Sequence, residues 1–572
     1  MKLYLKLLTP LHIGSGNDLQ PIDYVIANTR YYHLTQKFVF NFMKANNLLD
    51  AYTRWVNKTA QQISNIENIP KKNRKLDQNQ QLSQLRKDFN LLKFCEGQKK
   101  TNQLIRALEN ASGLIKISLN KAQPDRNIRE QITDGTHTPY IPGTSIKGAI
   151  RTALLYQWLK SKNPVNDLIN IFNSDLRNRD IKKEQFGNKI ENLAFYCGIE
   201  IKKDNRTEIS YTDEKFDLLK LLSVSDGKII SSGNPLTLIK TNLYLRDNTR
   251  QPQSPWVEAV AAGCMIEFAL DFNIRFLFAL KDNIRDNAVM VDKKKQWIGI
   301  ATKAKELFGI DIASLTEANL EENRHKAIQQ VLSAITVFSN KQKLKNEQWK
   351  EEIKPKQQIK EGSVPQFTKE KIDFSFIPEK GALNLGFASG FAGTTEMLYL
   401  IDNGDLKKAF KRVMEKFGIG DKPGAGRKRQ PGETYKANPD KFPKSRTMYE
   451  DGNGSIKPLG WALVMNVEEY KNSGRKVAAA PQTYQAPTPP PAYAPQYFTG
   501  KLKPGAGPID AIVVHGGKPN KLKLFIKGYE DKLINGFGSV PLPEGQKVQV
   551  VAAEVNKKTG EITSVTIKAL KS

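Results

Sequence analysis

Leu3, Leu5 and Leu7 fall on one side of the opening residues and Lys2, Tyr4 and Lys6 on the other, a period of two that predicts a half-buried strand. TPLHIGSG follows, where Gly14 and Gly16 permit a tight turn, and short strands are expected near 23–26 and 31–34. Residues 37–108 turn polar and rich in Asn, Gln and Lys, which predicts an inserted helical region with a solvated loop at 71–75. The clearest helix start lies in YIPGTSIKGAIRTALLYQWLK at 140–160. Pro142 and Gly143 break the preceding segment, Thr144 or Ser145 suits the N-cap, and Ile146, Ala149, Ile150, Ala153 and Leu154 form an apolar stripe.

Mixed strands and helices are expected to about residue 275, with TLIKTNLYLRD and MIEFALDF the best strand candidates. Residues 282–370 read as basic and largely helical. A glycine-punctuated segment, GALNLGFASGFAGTTEMLYL, precedes a helix at 406–417, the loop GIGDKPGAGRKR and a last strand in PLGWALVMNV. PQTYQAPTPPPAYAPQ cannot pack as helix or sheet and reads as a semi-extended tether. Beyond it, KLKLFIKGY, KVQVVAAEV and ITSVTIKAL are β-rich runs between Gly, Pro, Asn and Lys turns, which predicts a small barrel-like module.

Composition narrows the class. The chain has 572 residues, 88 Lys and Arg against 59 Asp and Glu, and a formal charge of +29. Such a balance points to a polyanionic partner, nucleic acid before membrane. No apolar run approaches the ~18 residues of a membrane span, and a signal peptide is not expected. Cys95, Cys197 and Cys264 lie far apart and give neither a disulfide framework nor a metal knuckle. A cytoplasmic protein without cofactor or metal is expected.

Two constellations suit phosphate. Lys147 and Arg151 stand four residues apart near a helix N-terminus, with Ser145 beside them, and read as a cationic ladder for a phosphate backbone. The bland alternative is two solvated cations on a core helix. In the second, Gly424 and Gly426 allow close backbone approach while Lys422, Arg427, Lys428 and Arg429 supply charge, extended by Lys441, Lys444 and Arg446. Neither carries the GK[ST] ending of a nucleotide loop or a dinucleotide fingerprint. His12, beside a glycine turn, is a candidate acid or base for RNA cleavage, against the commoner role of a hydrogen-bonded structural residue. Asp18, Asp23 and Asp226 are loop carboxylates for which turn formation is the expected role.

LHIGSG, PGTSIKGAIR, the basic glycine loop, FPKSR and PLGW, in that order, resemble the RAMP superfamily of CRISPR RNA-binding proteins over roughly residues 1–470. The order of these motifs resembles one branch in particular, the type III-A effector subunit that caps the crRNA 3′ end. The resemblance implies an α+β chain of RRM-like, ferredoxin-like RAMP domains with helical insertions, to which this sequence adds the small all-β module. The divisions expected are 1–275 with its insertion at about 37–108, 276–475, a Pro-rich linker at 476–496, and the module at 497–572. It also implies guide-RNA contacts at His12, Gly14, Ser15, Gly16, Gly143, Ser145, Lys147, Gly148, Arg151, Lys422, Gly424, Gly426, Arg427, Lys428, Arg429 and Arg446. Implied partners are crRNA, target RNA through the assembled complex, RAMP backbone subunits, other type III effector subunits and a host trimming nuclease. The expectation is a non-catalytic subunit, with a metal-independent endoribonuclease using His12 or His33 as the alternative.

Overall fold

A computed structural model describes the chain apart from residues 120–123, 125–126, 179–186, 204–205, 211–216, 231–233, 252–254, 286–287, 293–294, 355–366, 391–392, 394–396, 420–436, 474–501, 516–518, 527–528, 530–531, 538–545, 557–558, 560 and 571–572. The Pro-rich tether and the basic glycine loop therefore lie outside the described residues. Two compact units are present, Met1–Lys476 and Val477–Ser572.

Mixed α and β structure fills the first unit. One seven-stranded sheet runs Ala382–Asn384, Trp461–Met465, Lys2–Leu7, Met265–Phe272, Gly227–Ile229, Tyr140–Ile141, with Leu222–Val224 also on Met265–Phe272. A second runs Gly14–Leu19, Ile128–Gln131, Trp256–Val260, Leu236–Leu245, Ser445–Glu450, Ile456–Pro458, with Arg250–Gln251 paired to Leu236–Leu245. Each combines strands from both sides of residue 275, so that position separates no sheet.

The opening strand departs from its expected one-sided burial. Leu5 opposes Ile266 on one side and Val464 on the other, so the strand is central, not peripheral. Leu3, Leu5 and Leu7 are buried as the alternation predicts, but Tyr4 on the opposite face is buried too. Its ring stacks on Tyr470 at 4.1 Å between centroids, beneath the helix Val467–Asn472. Alternation reports the polarity of each face, and a tyrosine serves either side of that divide.

Helices occupy the 37–108 insertion, from Gln36–Ala45 to Thr101–Asn110. Tyr24–Ala27, Arg30–His33 and Ile115–Ser118 form a three-stranded sheet. The 282–370 region is less uniformly helical than its composition suggests, because Ala288–Asp292 and Lys295–Ile298 pair with each other and the latter with Gly198–Lys203. Leu320–Glu351 then forms a long helix whose Phe338 meets Tyr156 of the helix Gly143–Lys162 at 5.4 Å. Ile146, Ile150, Ala153 and Leu154 of the latter are buried in the main core, as the stripe predicts.

The helix Gly143–Lys162 begins earlier than Thr144 or Ser145, and neither caps it. Pro142 takes the N-cap position, and the Gly143 N–H donates to Asp226 Oδ1 at 2.7 Å. A Cβ at Gly143 would lie 2.4 Å from the Val224 carbonyl oxygen, so only glycine lets the helix meet that loop. Gly148, one turn on, faces open space with nothing within 4 Å of its would-be Cβ. The two glycines should respond oppositely to denaturant unfolding. Gly143→Ala is expected to lose about 1–3 kcal/mol through overpacking against backbone, whereas Gly148→Ala should gain about 0.5–1 kcal/mol of helix propensity.

Candidate nucleic-acid interface

The LHIGSG segment divides into a buried half and an exposed half. Leu11 bridges Val260 through two backbone hydrogen bonds, and His12 is only 2% exposed. His12 Nδ1 donates to the Glu258 carbonyl oxygen at 2.6 Å, which leaves Nε2 as the unprotonated nitrogen of the neutral ring. Phe387 meets that ring edge-on at 5.7 Å, and its N–H donates to the His12 carbonyl at 2.8 Å. Burial, the largest influence, lowers the His12 pKa. The side chain thus faces the interior and takes the structural role, not a surface one.

Gly14, Ser15 and Gly16 instead lie on an exposed edge strand, Gly14–Leu19, whose register shifts between Gly14 and Asp18. Ser15 Oγ donates to Glu130 Oε2 at 2.6 Å and Asn17 Nδ2 to the same oxygen at 3.2 Å. Behind them His33 bridges Glu130 and the fully buried Glu258, with Nδ1 3.1 Å from Glu258 Oε1 and Nε2 3.7 Å from Glu130 Oε1. The tight turn expected here is therefore an irregular strand anchored through its carboxylate neighbour.

Lys147 and Arg151 are not the unpaired ladder that their spacing suggests. Lys147 Nζ donates to the Leu222 carbonyl at 2.7 Å, and burial, aided by Arg151 and Lys220, lowers its pKa. Arg151 pairs with Glu191 at 2.6 Å and lies over the Phe195 ring at 5.3 Å. Residues 218–222 and the helix Asn188–Phe195 fold onto this face, which spacing within one helix cannot reveal. Asp226 occupies part of the helix N-terminus. What remains open is a patch of Thr144 and Gly148 with half-buried Ser145.

Three cations with a single carboxylate between them gather elsewhere. Arg446, on the strand Ser445–Glu450, opposes Tyr244 of the strand Leu236–Leu245, and Arg246 follows that strand. Lys345 and Trp349 come from the long helix, and both are buried. Arg446 lies 5.6 Å over the Trp349 ring, and its Nε and Nη2, shut off from solvent, have no hydrogen-bond partner among the described residues. Arg246 pairs with Glu352 through one nitrogen, while its Nε and Nη2 are likewise unpartnered there. Burial, reinforced by the charge of Arg246, pushes the Arg446 pKa down to about 9, still a cation at neutral pH. Lys345 is lowered by the same two influences, and its Nζ donates to the Asp440 carbonyl at 3.2 Å.

Buried guanidinium nitrogens of this kind are expensive unless an anion meets them. Of this centre only Arg446 belongs to the sequence-derived site. Arg246 reads as the end of a strand and Lys345 as one lysine among many in a helix, so neither carried a signal. Lys422, Gly424, Gly426, Arg427, Lys428 and Arg429 lie outside the described residues.

The RAMP superfamily matches residues 4–426, and the chain belongs to that superfamily. Among curated proteins it is similar to two described as "CRISPR system Cms protein Csm5". It is 24% identical over 284 residues to that of Streptococcus thermophilus, spanning 47% of this chain and 63% of the relative. To that of Methanocaldococcus jannaschii it is 24% identical over 471 residues, 82% of this chain and 89% of the relative. Two solved structures also resemble it. A chain of a Csm–crRNA–target RNA ternary complex from a type III-A CRISPR-Cas system gives a TM-score of 0.46 at 20% identity, covering 81% of this chain and all (100%) of that one. The crystal structure of T. onnurineus Csm5 gives 0.41 at 18%, covering 80% and 99%.

The His33–Glu258 contact sets a pH dependence. Burial pulls the His33 pKa down, but the hydrogen bond and charge of Glu258, with Glu130 and Asp23, outweigh it and raise the value overall. A raised folded pKa stabilises fully below the unfolded value of about 6.5 and loses its effect as pH climbs through the folded value. The stability lost in His33→Gln should therefore be largest near about pH 5.5 and shrink towards about pH 8.5, read from urea midpoints. A loss independent of pH would show that His33 carries no extra proton in the fold.

Proposed function

We propose that this chain is a non-catalytic RNA-binding subunit of a type III CRISPR effector complex. In this reading it holds the 3′ region of the guide RNA, caps the filament of backbone subunits and supports maturation of the crRNA 3′ end. The observation that carries the proposal is the superfamily match over residues 4–426, joined by relatives described as Csm5. Guide RNA, target RNA through the assembled complex and the other effector subunits are its partners, and a trimming nuclease recruited to the 3′ end is the finer part of the proposal. RRM-like, ferredoxin-like halves belong to it as well, supported by two seven-stranded sheets backed by helices.

Geometry supports the RNA side through charge. Lysines and arginines neutralise phosphates without reading sequence, so affinity follows RNA length and ionic strength. The Arg246–Lys345–Arg446 centre is short of anions, and a backbone phosphate supplies the missing acceptor oxygens. The basic segment 420–436 leads into the strand that carries Arg446. Exposed Gly148 offers a second approach, since a helix surface without a side chain admits a phosphodiester closely.

Arg446→Met tests the charge centre directly. Removing a half-buried cation whose enclosed Nε and Nη2 have no partner among the described residues should leave the thermal midpoint of the RNA-free chain unchanged or higher. Affinity for a crRNA-length single strand should fall by about tenfold or more, and the slope of log affinity against log salt should lose about one unit. An unchanged affinity and slope would remove Arg446 from the interface.

A further inference from the structure

The second unit closes on itself. Ile509–His515, Asn520–Leu524, Leu533–Phe537, Lys547–Val555 and Ile562–Leu570 form a barrel in the order first, second, third, fifth, fourth, and back to the first. Every pair is antiparallel except the third and fifth strands, which run parallel. That order, with one parallel pair, is the arrangement of an OB fold. Ile509, Val513, Leu522, Val548, Val550 and Val565 fill its interior.

Barrel topology alone assigns no ligand; the outer surface does. Across the first three strands the register sets Ile512 beside Lys523 beside Leu533, and His515 beside Lys521 beside Asn535. Leu533 is 47% exposed and Phe537 51%, two of the few large apolar side chains left open among the described residues. Lys521 is exposed and reaches Asn535 Oδ1 at 2.7 Å. On the adjoining fifth strand Thr566 stands next to Phe537, and Lys568 further along that strand is exposed.

An exposed aromatic among lysines is poorly suited to a protein interface, whose buried centre is depleted of lysine. It suits a single-stranded polynucleotide, which offers a stacking face and a phosphate at every step. Charge agrees: residues 497–572 hold twelve Lys and no Arg against six Asp and Glu, a net of +6. Of the carboxylates, Glu561 is paired with Lys532 at 2.5 Å and Glu554 accepts from Ser564 Oγ at 3.0 Å.

We propose that the outer face of the first three barrel strands, centred on Lys521, Lys523, Leu533 and Phe537, is a second binding site, for single-stranded RNA. A base stacks on Phe537 while Lys521 and Lys523 take the flanking phosphates. This site lies outside the superfamily match and is independent of the Arg446 centre.

Photocrosslinking tests it on the full chain, with a 4-thiouridine-substituted oligouridine of about 15 nucleotides, within the span of one OB fold. Crosslinked peptides should include residues 520–525 and 533–537. Phe537→Ala, and separately Lys521→Ala with Lys523→Ala, should each cut that yield by about tenfold or more and leave crosslinks within 1–476 in place. Both variants change outward side chains only, and unaltered circular dichroism confirms their fold. Crosslinks confined to 1–476, or module crosslinks that survive both variants, would overturn the proposal while sparing the first interface. Crosslinks confined to the module would instead count against the function proposed above. A co-purifying protein released by Phe537→Ala, with no module crosslink, would assign the face to protein docking and end the RNA assignment.

Discussion

The first unit is organised around one buried carboxylate. Glu258 has no exposed surface, and every oxygen it presents is engaged. Oε1 accepts from the Tyr31 hydroxyl at 2.7 Å and meets His33 Nδ1, Oε2 accepts the Gln131 N–H at 3.1 Å, and the backbone carbonyl takes His12 Nδ1. Three chain segments that are remote in sequence, those of His12, of Tyr31 with His33, and of Gln131, are thereby fixed to one strand of the second large sheet. Burying a lone carboxylate costs several kcal/mol, and only this complete set of donors offsets it. Loss of any one donor leaves the rest holding an under-satisfied charge.

The exposed glycine strand depends on that hub. Ser15 and Asn17 hang from Glu130, Glu130 borders His33, and His33 contacts Glu258. The conspicuous histidine of LHIGSG thus works behind the surface, and the surface itself is formed by Gly14, Ser15 and Gly16. On the other side of His12, Gly386 has φ +69, and a Cβ there would strike the His12 carbonyl oxygen at 2.3 Å. Two glycine-bearing segments, remote in sequence, therefore close on the same residue.

Electrostatics divide the cations into those already used and those still available. Lys147 and Arg151, which look free in the sequence, serve the fold through Leu222 and Glu191. Arg246 and Arg446, which look ordinary, each keep two buried nitrogens without partners among the described residues, against one, Nε, for Arg151. A formal charge of +29 cannot make that distinction, since it counts residues and not what lies against them. The difference is one of how many acceptors are at hand: Lys147 and Arg151 each have their own, whereas Arg246, Lys345 and Arg446 together meet only Glu352 and the Asp440 carbonyl among the described residues.

Periodicity by itself determined much of the local structure. The alternation of Leu3, Leu5 and Leu7, the stripe from Ile146 to Leu154 and the three β-rich runs beyond the tether each became the predicted element, because burial acts on the side chains of consecutive turns or alternate residues. Segment motifs were legible for a similar reason: LHIGSG and PGTSIKGAIR are contiguous and carry their resemblance whole. Only the tertiary structure decided that Asp226 caps the helix at Gly143, that Glu258 gathers His12, Tyr31, His33 and Gln131, and that Arg246 joins Lys345 and Arg446. It also closed the last five strands in an order that leaves Phe537 and Leu533 facing outward. Those pairings span up to hundreds of residues, and their energies depend on distance and desolvation in space, quantities that sequence spacing does not contain.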